Sequence, residues 1–349
     1  MSLPSIDQEY LQNFLVGLLN THSPTGYTAH AIDYVEKALS AFPEVQLIRT
    51  LKGSLLAVLP GEREDAPRAM SAHVDTLGAM VKDIKPNGRL QLTRIGGLNW
   101  NSVETEGCTV LTESGTAVRG SFLSNKASAH VYGREASELK RDDSTMEVRL
   151  DARTTKADET RALGVQVGDF VAFDTRVEVT NGFVRSRFLD DKACVATVVA
   201  TVKALHDAGL KPAQKTYLYF TTYEEVGHGG TTGIPDDAAE LVVNDMAAVG
   251  DTQTSDEFHV TICVKDGSGP YDYVLSNKLR KLCQDNDIPY KVDIYTYYAS
   301  DGSAYWGAGG KAVVALIGPG IDASHNYDRT HMDSLVANVQ LNLAYLLGL

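Results

Sequence analysis

The chain from Asp190 to Leu349 alternates helical and strand-like segments, and this rhythm constrains the fold more than any other feature. The helical segment DKACVATVVATVKALHDAG precedes the apolar run TYLYFTT, and the helical segment MDSLVANVQLNLAYLLGL closes the chain. Between them lie the strand-like runs MAAVGD, FHVTICV, YKVDIYTY and KAVVALIGP and the helical YDYVLSNKLRKLCQDND. Strands that alternate with helices predict an α/β fold in which helices flank a central sheet.

The region between Gly78 and Arg187 has a different texture. Short runs rich in Val, Thr and Phe are separated by Gly, Asn and Asp at intervals of about ten residues, which is typical of a small β-barrel or sandwich. The first 77 residues again combine helical periods with strand-like runs. We therefore predict an α/β domain built from residues 1–77 and 188–349, with an all-β, barrel-like domain inserted at residues 78–187.

Charge and cysteine content exclude several classes of protein. The 32 Lys and Arg residues against 45 Asp and Glu residues give a net charge of −13, which disfavours nucleic acid and anionic membranes as partners. The N-terminus has no basic segment before its apolar residues, so a cytoplasmic protein is expected. The four cysteines form no C-x-x-C pair, so neither a zinc knuckle nor a redox motif is predicted.

Acidic and histidine residues follow several predicted strands, where α/β proteins bind ligands. In SAHVDTLG, His73 and Asp75 lie two residues apart on one face of a strand, so the carboxylate can orient a metal-binding imidazole. In FLDDKA, Asp190 and Asp191 stand directly before a helix. Helix capping explains one of these two aspartates, and a carboxylate that bridges two metal ions would explain the other.

Three more strand ends carry similar residues. Glu224 and Glu225 end the apolar run before VGHGG, where two buried carboxylates are costly unless they bind metals or share a proton. Asp251 follows MAAVG, and His331 precedes the last helix. Each residue alone fits a turn, a cap or a surface charge, but together they predict a site for two divalent ions such as Zn²⁺, Co²⁺ or Mn²⁺. Such a site activates water, so hydrolysis of an amide or ester is expected.

With these positions in hand, the chain resembles the TET-type aminopeptidases, a cytoplasmic di-metal family that includes glutamyl and deblocking aminopeptidases. The motifs that carry the likeness run along nearly the whole chain: SPTGYTAHA, SAHVDTLGAMV, ALGVQVGDFVAFDTR, FLDDKA, YEEVGHGG, GDT, SDGSAYWGAGGKAVVALIGPG and RTHMDSL. The 190 − 73 = 117 positions between the H-x-D motif and the bridging aspartate favour this group over related carboxypeptidases and deacylases.

The resemblance implies roles for individual residues. The expected metal ligands are His73, Asp190 as the bridge, Glu225, Asp251 and His331, while Glu224 is the general base and Asp75 orients His73. It also implies two divalent ions per chain, with zinc favoured over cobalt or manganese, and peptide substrates cleaved at their first residue. A homo-oligomer, typically a tetrahedral dodecamer, is expected as well. The sequence contains a further histidine, His325, that the pattern does not require.

Other activities are compatible with parts of this pattern. A related di-metal amidohydrolase or deacylase could act on small N-acyl or dipeptide substrates with the same ligands. A cellulase-like glycoside hydrolase would use two carboxylates about 5–9.5 Å apart on opposite sides of a sugar, for which two adjacent glutamates are poorly placed. A non-catalytic binding protein could retain the fold, but the intact set of candidate ligands argues against it.

Overall fold

The computed structural model describes residues 3–349. The strands of the first half are β1 (Gln46–Arg49), β2 (Leu55–Leu59), β3 (Arg63–His73), β4 (Gly78–Ile84), β5 (Leu90–Ile95), β6 (Gly107–Leu111), β7 (Ala117–Ser124), β8 (Met146–Leu150) and β9 (Phe170–Phe173). Those of the second half are β10 (Glu178–Thr180), β11 (Phe183–Ser186), β12 (Gln214–Thr221), β13 (Glu240–Asn244), β14 (Ala247–Ala248), β15 (Val260–Lys265), β16 (Tyr290–Ile294), β17 (Val313–Ile321) and β18 (Asp328–His331). The helices are α1 (Gln8–Leu19), α2 (Ala29–Leu39), α3 (Trp100–Val103), α4 (Ala129–Tyr132), α5 (Arg134–Glu138), α6 (Ala157–Arg161), α7 (Leu189–Asp207), α8 (Tyr273–Asp285), α9 (Asp301–Gly307) and α10 (Met332–Leu347), and Glu224–Val226 form one 3-10 turn.

The first compact unit comprises the chain up to Asp75 together with Arg176–Leu349. Its mixed sheet has the strand order β1-β2-β12-β3-β13-β17-β15-β16, and β14 pairs with β17. The central strands β12, β3, β13 and β17 run parallel, so their carboxyl ends lie at one edge of the sheet. This edge is where the candidate site lies.

Helices cover both faces of this sheet. Residues of α1, α2, α7, α8 and α10 form one apolar core with the sheet. Helix α7 is buried along nearly its whole length because its Ala, Val, Thr and Cys side chains are small or apolar on every side. On the opposite face, Tyr305 of α9 belongs to a second apolar cluster that also includes Tyr217 and Tyr219 of β12. The predicted α/β fold with a helix-flanked mixed sheet is confirmed.

The second compact unit comprises Thr76–Thr175. Its strands close into a barrel in the order β4-β5-β8-β7-β6-β9, as expected for the inserted all-β region. Phe122 and Phe173 are fully buried and meet edge to face, with ring centroids 5.5 Å apart.

The boundaries of the insertion differ from the predicted 78–187. Residues 176–187 belong to the first unit because β10 and β11 form a small sheet with β18, in which Phe183 pairs with His331. The alternating apolar pattern of these residues resembled the barrel strands, but their partner is a segment near the end of the chain. Within residues 3–349, no helix is both long enough and apolar enough to cross a membrane.

Candidate metal centre

The sheet brings several of the predicted residues together at one edge. His73 ends β3 and pairs in register with Thr221 at the end of β12, and the turn that carries Glu224 and Glu225 begins three residues later. Asp190 lies in the first turn of α7, which packs against β3. Parallel strands that end together therefore place His73 and both glutamates around the start of one helix.

Asp190 lies between two groups of potential metal ligands. In the first group, donor atoms of His73, Asp190 and Asp245 all lie within 4.8 Å of one another. In the second group, donor atoms of Asp190, Glu225 and His325 also lie within 4.8 Å of one another. Asp190 is the member that the two groups share, as a bridging ligand would be.

The two oxygens of Asp190 face different histidines. Oδ1 lies 3.2 Å from Nε2 of His73, and Oδ2 lies 3.5 Å from Nε2 of His325. The same nitrogen of His325 lies 3.4 Å from Oε2 of Glu225, and Nε2 of His73 lies 3.8 Å from Oε2 of Glu224. One carboxylate thus connects two nitrogen-containing sites, and Glu224 stands beside the first of them.

The electrostatics of the metal-free site reflect many carboxylates in a buried space. Burial raises the pKa of Glu225 and of Asp245 to about 8 each, and the nearby Asp190 carboxylate adds to both shifts. Burial also raises the pKa of Glu224 well above its usual range. Burial favours a neutral Asp190 too, but hydrogen bonds with His325 and His73 outweigh it and hold the Asp190 pKa below its usual value.

For the two histidines, neighbouring carboxylates outweigh the effect of burial on the pKa. Burial alone would lower the pKa of His73, yet its contact with Asp190 and the charge of Glu224 raise that pKa well above the usual value. The Asp190 and Glu225 carboxylates likewise raise the pKa of His325 to about 9 against the effect of burial. Without a metal, protons therefore neutralise this site.

Asp75 does not orient His73 in the way that the sequence predicted. Nδ1 of His73 lies 2.9 Å from the backbone carbonyl oxygen of Asp75 and 3.6 Å from its carboxylate. That carboxylate instead accepts hydrogen bonds from the backbone N–H groups of Glu224 and Glu225, at 3.1 and 3.3 Å, and from the hydroxyl of Thr25 at 2.7 Å. The backbone of Asp75 fixes the imidazole, while its side chain holds the glutamate turn.

Asp191 also has a definite contact. It is fully buried, and its Oδ2 accepts a hydrogen bond from the backbone N–H of His73 at 3.2 Å. The two adjacent aspartates therefore have different contacts. Asp190 belongs to the ligand groups, whereas Asp191 binds the backbone at the end of β3.

The prediction of Asp251 as a ligand requires correction. Asp251 is exposed and belongs to neither ligand group. The buried strand beside β3 is β13, which ends at Asn244, so the residue that enters the site is the buried Asp245. The run MAAVGD, which was predicted to be that strand, forms only the two-residue β14.

The prediction of His331 as a ligand also requires correction. His331 caps the N-terminus of α10, where its Nδ1 accepts a hydrogen bond from the N–H of Asp333 at 3.1 Å. Its ring packs against Phe183 and Phe258, with centroids 4.8 and 5.3 Å away. The histidine in the second ligand group is His325, which lies in the loop after β17 and was noted in the sequence only as an extra histidine.

The loop that carries the two glutamates is held at its far end. Nζ of Lys52 donates hydrogen bonds to the carbonyl oxygens of His228 and Gly229, and the ring of His228 stacks on Tyr223 with centroids 5.0 Å apart. The N–H of Gly230 donates to the buried carboxylate of Asp301. A β-carbon at Gly230 would lie 2.4 Å from the carbonyl oxygen of Asp301, so this close approach requires glycine.

The donor set fits divalent metal ions. Four carboxylates and two imidazoles meet here, and within residues 3–349 no Lys or Arg forms an ion pair with any of the four acids, which are Asp190, Glu224, Glu225 and Asp245. Buried negative charge of this density requires cations or protons for compensation. Mixed imidazole and carboxylate ligands suit zinc and similar divalent ions.

A cleft of about 610 Å³ opens beside these groups. Asp190, Glu224, Glu225 and Asp245 line it. Ser268, Tyr298, Ser300 and Ser303 are among the other residues that line it. The cleft is large enough to receive a side chain and a peptide bond next to the ligand groups.

Comparison with known proteins places this geometry in context. The model of the M42 glutamyl aminopeptidase family matches residues 53–341. A Bacillus subtilis (strain 168) protein named "Putative aminopeptidase YhfE" is 44% identical over 330 residues, which cover 94% of this chain and 95% of the relative.

Solved structures of low sequence identity share the fold. Aminopeptidase APDkam598 from the archaeon Desulfurococcus kamchatkensis superposes with a TM-score of 0.87 at 19% identity, covering 98% of this chain and 96% of that one. The TET1 peptidase of Pyrococcus horikoshii, whose structure is described as assembling into a tetrahedron or a large octahedral shell, has a TM-score of 0.82 at 22% identity. That match covers 97% of this chain and 100% of the other.

Proposed function

Because this chain belongs to the M42 glutamyl aminopeptidase family, we propose that the two ligand groups joined by Asp190 form the catalytic centre of a peptidase that uses two metal ions. The family match makes the chain a metal-dependent aminopeptidase and favours neither a deacylase nor a glycosidase. The observation that carries the proposal is the position of Asp190, whose two oxygens face His73 and His325 separately.

We assign the ligands by their place in the two groups. His73 and Asp245 would complete one site, Glu225 and His325 the other, and Asp190 would serve both. Zinc is the metal that we propose, with cobalt and manganese as the alternatives to test, because nitrogen and carboxylate donors suit all three. When bound, such ions lower the pKa of a water molecule and polarise the carbonyl group of the scissile peptide bond.

The side chains of the protein supply the proton transfers. Glu224 is held beside His73 by the carboxylate of Asp75, which accepts the N–H of Glu224. From this position Glu224 accepts a proton from the attacking water and returns it to the leaving amine. The carboxylates that line the cleft attract the ammonium group of the substrate, which limits cleavage to the first residue of a peptide.

We propose that the active protein is cytoplasmic and forms a homo-oligomer. All four cysteines are buried and free, which suits a reducing compartment. The tetrahedral assembly described for the Pyrococcus horikoshii TET1 peptidase supports a tetrahedral dodecamer as the form to test. Val131 and Val167 of the barrel unit, 71% and 66% exposed, are apolar side chains that subunit contacts would cover.

The test combines metal removal with one substitution. Dialysis against a chelator should abolish hydrolysis of aminoacyl-arylamides, and Zn²⁺, Co²⁺ or Mn²⁺ should restore it. Glu224→Gln should keep the metal content of the unaltered protein but reduce kcat by about 100-fold or more, because the proton acceptor is lost. Unaltered turnover in this variant would rule out the role of Glu224. A metal-independent activity on oligosaccharides would refute the peptidase assignment.

A further inference from the structure

One part of the cleft wall, which we call the Ser268 wall, is built around one buried carboxylate, that of Asp266. Asp266 is fully buried, and its Oδ1 accepts hydrogen bonds from the hydroxyl of Ser268 at 2.6 Å and from the backbone N–H groups of Ser268 and Gly269 at 2.7 and 3.2 Å. Its Oδ2 accepts from the hydroxyls of Tyr271 and Ser303, at 2.7 and 3.2 Å. Two of these donors, Ser268 and Ser303, line the cleft.

The hydroxyl hydrogens of Ser268, Tyr271, Ser300 and Ser303 are used on partners within this wall. Tyr271 uses its one hydrogen on Asp266, so in its 2.7 Å contact with Ser300 the serine is the donor. Ser268 uses its hydrogen on Asp266, and Ser303 shares its own between Asp266 and the carbonyl oxygen of Ser300. The oxygens of Ser268 and Ser303 therefore retain lone pairs but no hydrogen for a ligand.

Positive charge is missing from the same wall. Within residues 3–349, the residues that line the cleft include no Lys or Arg, and Asp266 forms no ion pair. The nearest basic side chain along the chain, Lys265, directs its Nζ to the backbone carbonyl oxygen of Asp266 at 2.8 Å and does not line the cleft. The charge of a buried carboxylate that has no counterion acts over a longer range than the charge of a carboxylate surrounded by water.

We propose that this wall receives the first side chain of the peptide and selects for a hydrogen-bond donor there, foremost the cationic Lys and Arg, while excluding Glu and Asp. An ammonium or guanidinium group would donate to the oxygens of Ser268 and Ser303 and would gain from the charge of Asp266. At Ser268 and Ser303 a carboxylate would meet acceptor oxygens whose hydrogens are already used. Asp266 and Ser268 are the specificity-determining residues. This inference rests on the proposed function, since it places the substrate in the cleft beside Glu224.

The proposed preference for Lys and Arg differs from the glutamyl specificity in the name of the family model. A pocket for glutamate needs a basic or hydrogen-bond-donating side chain to replace the water around the carboxylate. In this wall the hydroxyl hydrogens of Ser268 and Ser303 are already used on Asp266 and on the carbonyl oxygen of Ser300. The name of the family therefore does not carry over to the preference of this member.

The experiment measures kcat/KM of the metal-loaded full chain on Lys, Arg, Leu and Glu arylamides. Lys and Arg should exceed Glu by about ten-fold or more, because the charge of Asp266 attracts a cationic side chain and repels a carboxylate. A preference for Glu or Leu over Lys would overturn the inference while leaving the peptidase assignment intact. Failure of all four substrates in protein of verified metal content would refute the proposed function, and the inference with it.

Two variants and one control test the residues themselves. Asp266→Asn and Ser268→Ala should each lower the ratio of Lys to Leu hydrolysis by about five- to ten-fold. The matched control is Asp293→Asn, since Asp293 is also buried and accepts from the hydroxyl and N–H of Ser255 but does not line the cleft. The control should leave the ratio unchanged. An unchanged ratio in both cleft variants would overturn the assignment, and should neither fold, the substrate ranking of the unaltered protein still decides the proposal.

Discussion

Oδ1 of Asp75 accepts a hydrogen bond from the backbone N–H of Glu224 at 3.1 Å. This contact joins the end of β3 to the turn after β12, and the second oxygen of Asp75 extends it to the N–H of Glu225 at 3.3 Å. One buried carboxylate therefore sets the position of both glutamates through their backbone N–H groups.

Asp75→Asn should misplace the proposed general base. An amide keeps one acceptor oxygen but presents an NH₂ group where the second N–H needs an acceptor. We expect kcat to fall by about 10- to 100-fold, because small displacements of catalytic groups are costly. Metal content, measured in parallel, should fall much less than kcat. An unchanged kcat would contradict the positioning role.

Substitutions can separate the ligands seen in the structure from those expected from the sequence. Asp245→Asn and His325→Gln should each weaken metal binding by more than about ten-fold, because each removes a donor from a ligand group. Asp251→Asn should bind metal normally, since Asp251 is exposed. His331→Gln should lower the melting temperature through loss of packing against Phe183 while keeping its metal. Metal titration of the four proteins decides the assignment, and normal binding in the first two would contradict it.

The stability of the metal-free protein should fall as the pH rises. Burial raises the pKa of Asp245 and of Glu225 to about 8 in the folded chain, against about 4 for such groups in an unfolded chain. The folded state thus holds these protons more tightly, and their contribution to stability is complete below about pH 4 and lost as the pH rises through about 8.

Bound metal should remove this dependence, because metal ions replace the protons at the ligands. The melting temperatures of chelated and metal-loaded protein, compared between about pH 5.5 and 8.5, should diverge as the pH increases. A difference that stays constant over this range would show that the carboxylates do not control the effect.

The four thiols should resist modification in the folded protein. Burial raises the pKa of Cys108, Cys263 and Cys283 to about 12 and that of Cys194 well above its usual value. Because the thiolate is the reactive form, a disulfide reagent at about pH 8 should label almost no cysteine in the native protein. All four should react in guanidinium chloride. Rapid labelling of the native chain would indicate local opening around these residues.

The sequence predicted those candidate residues that directly follow a recognisable buried strand or begin a long helix. His73, Asp190 and the two glutamates have this property, and the structure brings them together. Asp245 was missed because two apolar runs, ELVVN and MAAVGD, are near neighbours in the chain. Periodicity does not tell which of two such runs pairs with the central strand, since that depends on contacts with β3 and β17.

His331 was predicted as a ligand instead of His325 for a similar reason, because the pairing of a nearby strand was not visible in the sequence. His325 and His331 are six positions apart, and both precede the last helix. The short strand β18, which ends at His331, pairs with β11, about 145 positions earlier (328 − 183 = 145), and this pairing places His331 against Phe183 and outside the ligand groups. The partners of Asp75 and Asp266 were likewise beyond prediction, because each depends on hydrogen bonds that form only in the folded chain.

The candidate ligands are far apart in the sequence, and this separation determines when the protein can bind metal during its synthesis. His73 and His325 are 325 − 73 = 252 positions apart, and the whole barrel is made between the translation of His73 and that of Asp190. No short segment of the nascent chain contains a complete set of donors, so a metal ion cannot be captured by one local motif as it leaves the ribosome. Loading with metal must follow the joining of distant segments. Hydrolysis of neighbouring peptides therefore begins only after this unit has folded.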